Sequence, residues 1–224
     1  MEMTEKPRQQ PANVAGLFPT PVLTVLLADA ASLNQALRGV VLAREAGHPS
    51  VSHSNLGGWQ SDTQFLDWGG TPARKLLATV TQAIDRLTSD RAGRAVKIDW
   101  HCNGWANINR SGHGNEFHTH PGCFWSAVYY VDDGGIGADP ALGGELELAD
   151  PRGVATAMHA PLLGFALPGG QSVGVSETIR PHSGLLVVFP SWLSHAVRPY
   201  RGGGIRISIA INFSVQPALV PHLA

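Results

Sequence analysis

The run Gly204-Ile205-Arg206-Ile207-Ser208-Ile209-Ala210-Ile211 sets four isoleucines at alternate positions. Successive side chains of a strand point to opposite faces, so Ile205, Ile207, Ile209 and Ile211 share one face and Arg206 and Ser208 occupy the other. The isoleucine face needs an apolar core. An Arg that points into a barrel needs an anion, and a guanidinium fork beside a hydroxyl suits a carboxylate held through two hydrogen bonds. An Arg paired with an internal Asp or Glu is the plainer alternative. The same parity sets Trp105, Asn107 and Asn109 opposite Ala106 and Ile108. Asn107 is then a candidate donor to a bound small molecule, and Asn109 fits either that role or a polar network between strands.

From residue 94 onward the chain reads as short strands separated by Gly and Pro turns. Strands are expected over 95–109, 123–131, 144–149, 161–166, 171–179, 184–189, 194–198 and 204–215. Two helices precede them. One is expected over about 31–46, with Leu33, Leu37, Val40 and Val41 at helical spacing, and one over about 71–89, with Leu76, Leu77, Val80, Ile84 and Leu87. Leu17 to Val25 reads as a first strand with its prolines at the start, where they cost least. Many short strands after helices predict a mainly β fold with flanking helices, a cupin-like jelly roll buttressed on one sheet. The expected organisation is a flexible segment over 1–15 and a single domain over 16–224, with helical support over about 31–93 and a β core over about 95–215. Gly134 to Pro140 is the expected mobile loop, glycine-rich and without an apolar anchor.

Composition narrows the partners. Of 224 residues 43% are apolar and 15% charged, enough to bury a proper core, and the net charge of −1 gives no basic field for nucleic acid or an anionic membrane. A small molecule, amino acid or peptide is the expected partner, and the helical face leaves room for a homodimer. Cys102 and Cys123 are too few for a disulfide framework, and no apolar signal core or membrane-length run appears. The cytoplasm is the expected compartment.

The chemistry concentrates in Phe117-His118-Thr119-His120-Pro121 and a distant His195. Imidazoles at i and i+2 on a strand face the same way and can approach one ion. A third from another strand completes one face of its coordination sphere and leaves the opposite positions open. His53, His101, His113, His159 and His182 read as structural or supporting residues. Tyr129 and Tyr130 are adjacent and face opposite ways, so one of them can point toward a pocket, and Tyr130 is the one favoured. Glu145 and Glu147 alternate with leucines as on a half-exposed strand, Asp150 before Pro151 reads as a turn, and Trp125 and Trp192 fit either the core or an entrance.

The succession His118-x-His120, Val128-Tyr129-Tyr130-Val131, Gly143-Gly144-Glu145-Leu146, Pro181-x-x-Gly184, Val188-Phe189-Pro190, His195 and Arg206-x-Ser208 resembles the Fe(II)- and 2-oxoglutarate-dependent oxygenases on their prolyl-hydroxylase-like side. Leu17-Phe18-Pro19-Thr20-Pro21 and Gly58-Trp59-Gln60-Ser61 look like a bacterial group within that superfamily. The resemblance implies a double-stranded β-helix, Fe(II) held by His118, His120 and His195, and 2-oxoglutarate anchored by Arg206 with Ser208. Dioxygen would be the oxidant, an unactivated C–H bond of a small molecule, amino acid or peptide the target, and succinate and CO2 the by-products. His120 stands where the family usually has Asp or Glu, which leaves the metal site about one unit more positive. Two rival readings are a three-His cupin-type dioxygenase that does not use 2-oxoglutarate, and a non-catalytic β-helix binding module.

Overall fold

Leu33, Leu37 and Val41 line the buried stripe of helix α1 (Ala30–Gly47), and Ala73, Leu76, Val80 and Ile84 line that of α3 (Gly70–Leu87). Three- and four-residue steps keep each set on one side of its helix, so both helices have an apolar face to cover. A short α2 (Phe65–Trp68), not expected from the sequence, precedes α3. The computed structural model describes residues 16–28, 30–153, 160, 162, 163, 165 and 174–215.

The strands are β1 (Leu23–Leu26), β2 (Asn55–Leu56), β3 (Trp59–Gln60), β4 (Trp100–Asn109), β5 (Gly114–His118), β6 (Trp125–Asp133), β7 (Leu146–Ala149), β8 (Ser176–Ile179), β9 (Leu185–Pro190), β10 (His195–Val197) and β11 (Arg206–Val215). They form a six-stranded sheet, β1-β9-β6-β11-β4-β3, and a five-stranded sheet, β2-β5-β10-β7-β8, with antiparallel pairing throughout the ladders. The helices cover one face of the larger sheet, where Ile207, Ile209 and Ile211 pack with Leu37, Leu76 and Ile84. A second cluster, with Tyr130, Leu146, Leu148, Val187 and Phe189, joins the two sheets on the other face. β9 is therefore buried on both sides, which is why its sequence reads Leu-Leu-Val-Val-Phe without alternation. This is the double-stranded β-helix with helices on one sheet.

Several expectations need correction. β1 begins at Leu23, since Pro19 and Pro21 cannot donate to a ladder, and Leu17 and Phe18 stay exposed. β2 and β3 were not among the expected strands, and β5 was expected only as the strand assumed for His118-x-His120. They are short or polar, and their pairing partners β4, β5 and β10 are distant in sequence. The 134–140 loop does have an apolar anchor, because Ile136 is fully buried, and the Tyr200 hydroxyl donates to the Gly134 carbonyl at 2.6 Å. The strand expected over 161–166 falls largely outside the described residues, as do 171–173 and His159.

Candidate active site

His118 closes β5 and His195 opens β10, and the two are direct partners in the antiparallel register. His120 is not on the strand. Its carbonyl accepts from Cys123 N at 3.2 Å around Pro121 and Gly122, and Gly122 has φ +85°. Proline second and a left-handed glycine third is the pattern of a type II turn, and His120 is the first residue of it. The His120 amide donates to Ser191 O at 3.0 Å, which ties the turn to the end of β9.

The coordinating nitrogens of His118, His120 and His195 all lie within 4.8 Å of one another. His118 Nδ1 is 2.8 Å from Glu116 O and His195 Nδ1 is 2.8 Å from Leu193 O. A carbonyl can only accept, so each neutral ring carries its proton on Nδ1 and turns the Nε2 lone pair toward the shared centre. Burial holds His118 below the usual imidazole range. Burial, followed by the neighbouring His118, lowers His120 to about 4, and burial with the same neighbour lowers His195 to about 3. All three rings are thus neutral near pH 7, the form that a metal ion requires. The donor set fits a first-row dication such as Fe(II), with His118, His120 and His195 as the residues that would hold it.

Arg206 is fully buried on the other wall. Its Nε donates to Gly144 O at 3.2 Å, and Nη1 donates to Asn109 Oδ1 at 3.0 Å and Ser208 Oγ at 3.3 Å. Gly144 has φ +76°, and a Cβ there would fall 2.7 Å from Ile136 Cδ1, so glycine is what lets this carbonyl reach the guanidinium. Among the described residues no ion pair includes Arg206, which removes the reading of an internal Asp or Glu partner. The guanidinium stands over the Tyr130 ring, 5.1 Å from its centroid. The Tyr130 hydroxyl is near enough to feel that charge, but the geometry falls short of a hydrogen bond. Arg206 Nη2 and Tyr130 Oη are both buried without a partner. Burial raises Tyr130, more than Arg206 lowers it, so its hydroxyl keeps its proton and can donate. Two orphaned donors beside Ser208 have the chemistry that a carboxylate would satisfy.

One pocket, with about 500 Å3 of empty space including its open mouth, is lined by the three histidines, Arg206, Ser208, Asn107 and Tyr130. The sheet register explains this convergence: Ser208 faces Asn107 on β4 and Tyr130 on β6, while Tyr129 turns to the helices and donates to Asn34 Oδ1 at 2.6 Å. Asn109 holds Arg206 in place. Trp125 belongs to the core, with its Nε1 donating to Thr88 Oγ1, and Trp192 is exposed. Glu147 pairs with Arg198, Asp150 with Arg152, and His113 Nδ1 accepts from Arg110 N inside its turn. Sequence reasoning missed Ser54, Asn115, Ser126 and Asn212, which also line the pocket. Ser54 Oγ lies 3.4 Å from His118 Nε2 and accepts from Asn115 Nδ2 at 3.2 Å. Asn212 carried a usable signal, since it shares the parity of Arg206 and Ser208 on β11.

Residues 103–212 match the model of a family described as "Putative 2OG-Fe(II) oxygenase". No curated protein matches in sequence. Among solved structures the chain is similar to a Pseudomonas putida prolyl-4-hydroxylase, with 20% identity, 87% of this chain and 92% of that one covered, and a TM-score of 0.59. HygX from Streptomyces hygroscopicus, solved with nickel and 2-oxoglutarate bound, is 11% identical over 88% of this chain and 84% of that one, with a TM-score of 0.53. A non-heme alpha-ketoglutarate-dependent carbocyclase from nogalamycin biosynthesis is 10% identical over 87% of this chain and 79% of that one, with a TM-score of 0.59. These likenesses share the fold. Residues 103–212 thus match the 2OG-Fe(II) oxygenase family, which works with Fe(II), 2-oxoglutarate and O2.

Proposed function

We propose that this oxygenase hydroxylates an unactivated C–H bond of a small molecule, amino acid or peptide, with release of succinate and CO2. The observation that carries the reading is the buried, unpaired Arg206 Nη2 in the same pocket as three neutral imidazoles whose nitrogens lie within 4.8 Å of one another. His118, His120 and His195 hold the iron. Arg206, with Ser208 and Tyr130, takes the distal carboxylate of 2-oxoglutarate, and Asn107 offers an amide beside it. The bound metal and co-substrate supply the oxidising chemistry. What the chain adds is aim and dryness: Phe189, Val128 and Leu146 wall the pocket and keep bulk water from the reacting centre.

A prolyl-4-hydroxylase and a carbocyclase share this fold, so the outcome of oxidation depends on how the substrate lies and not on the scaffold. Succinate formation and oxygen uptake over a panel of amino acids, blocked peptides and small acids test the reading. A product heavier by one oxygen atom, formed in step with succinate, is the expected result. Cyclised or epimerised product without added oxygen would overturn hydroxylation.

A further inference from the structure

β11 presents Arg206, Ser208, Ala210 and Asn212 to the pocket in one row. At about 6.8 Å per pair of residues, Asn212 stands about 20 Å along the strand from Arg206. If Arg206 marks the co-substrate end, Asn212 marks the other. Ser126 donates its hydroxyl proton to Asn212 Oδ1 at 2.8 Å, and both residues are buried. This bond fixes the amide with its Nδ2 hydrogens turned elsewhere, and among the described residues Nδ2 makes no hydrogen bond. Trp105, on the neighbouring strand, faces Ala210 in register and is therefore diagonal to Asn212. Its ring packs edge-on against His120, with centroids 5.4 Å apart. Trp59, Trp68, Trp100 and Trp125 each donate their indole N–H, to a backbone carbonyl or a side-chain oxygen. The Trp105 indole makes no such bond among the described residues, although it lines the pocket.

The charge of the site points the same way. A metal dication and the Arg206 guanidinium carry about three positive charges, and 2-oxoglutarate cancels two of them. Three neutral imidazoles cancel none, and among the described residues no Asp or Glu lines the pocket. About one positive charge is left over in a place poorly reached by water, where an isolated charge is costly. Spare donors and spare positive charge at one end of a pocket together select an anion.

We propose that the substrate presents a carboxylate to Asn212 and Trp105, at the end of the pocket remote from Arg206. The inference rests on the reading that iron and 2-oxoglutarate occupy the rest of the site. A carboxylate offers two acceptor oxygens for an amide and an indole donor. It also restores the balance that an Asp or Glu in place of His120 would have given.

The test uses the full chain loaded with Co(II), which holds the complex inert to oxygen. 2-Oxoglutarate is titrated first, and its failure to bind would reject the reading of the site itself. Acetate and its neutral isostere acetamide are then titrated into the Co(II)·2-oxoglutarate complex by calorimetry, with the cobalt absorption spectrum followed in parallel. Saturable binding of acetate without comparable binding of acetamide is expected. Asn212→Asp keeps the shape and the bond from Ser126 but replaces the donors with a charge, and it abolishes acetate binding. Trp105→Phe keeps the ring and weakens acetate about tenfold. Both variants retain the wild-type affinity for 2-oxoglutarate. Competition with acetate by a short blocked peptide containing one Asp assigns the carboxylate to a peptide side chain, and competition by free acids alone assigns it to a small acid. Equal binding of acetate and acetamide, or undiminished acetate binding by Asn212→Asp, overturns the proposal.

Discussion

His118 and His195 stand directly opposite each other across β5 and β10, with ring centroids 4.3 Å apart. Each donates its Nδ1–H to the carbonyl two residues earlier, so both rings are oriented by their own backbone and not by a carboxylate. His120, set by a turn, is oriented less firmly; no hydrogen bond to its ring is formed among the described residues. The two strand-borne rings are thus the fixed part of the proposed metal site.

His195→Ala is expected to lose metal, since it removes one of these two rings from a pre-set pair. Arg206→Ala is expected to keep metal. Iron content after gel filtration, measured for both variants, separates the roles. Equal loss in the two would contradict a division between metal wall and anion wall.

His120→Asp supplies the carboxylate usual in the family at the start of the type II turn. Aspartate is shorter than histidine, but the metal loses about one unit of net positive charge and should be held more tightly. Fe(II) affinity measured by competition with a chelator is expected to rise or hold, and His120→Ala to weaken it. Unchanged affinity in His120→Ala would remove His120 from the ligand set.

Tyr130→Phe should act in opposite directions on two measurements. The hydroxyl is buried without a partner, so deleting it removes a desolvated polar group and stabilises the metal-free protein by up to about 1 kcal/mol in urea unfolding. The same change removes the donor proposed for the co-substrate carboxylate and is expected to weaken 2-oxoglutarate about tenfold. Loss of stability together with unchanged 2-oxoglutarate affinity would assign Tyr130 to packing alone.

Acid should destabilise the metal-free protein. His120 and His195 titrate at about 4 and about 3 when folded, against an ordinary value of 6.5. Below pH 6.5 the unfolded chain therefore binds protons that the folded one refuses, and stability falls as pH drops through 6.5 toward 4. Urea unfolding of metal-free protein between pH 7 and pH 5 reads this before carboxylates contribute much. A double variant, His120→Asn with His195→Asn, should show a flatter dependence, and an equally steep one would contradict the assignment.

The part of the fold written in local pattern was legible. Ile207, Ile209 and Ile211 fixed the core face of β11, and the parity that follows put Arg206 and Ser208 in the pocket and, through the register with β6, Tyr130 beside them. The helices were read to within about two residues because their stripes repeat. β2, β3 and the start of β5 were not legible, since Asn55, Trp59 and Asn115 are in strands only because distant partners pair with them. The strand geometry assumed for His118-x-His120 was likewise half correct. The convergence of the three rings survives because the turn through Pro121 and Gly122 brings His120 back to the site. Ser54 reached the pocket through a pairing that no local signal announces.

The most direct test of the account is an anaerobic Fe(II) titration of the metal-free protein with 2-oxoglutarate, read by the weak visible metal-to-ligand charge-transfer band of the chelate. The account predicts that the band forms in the wild type, and that Arg206→Ala needs about a hundredfold more 2-oxoglutarate to reach it, as expected when one partner of a buried charged pair is lost. Iron bound without the band, or a band indifferent to Arg206, would contradict it.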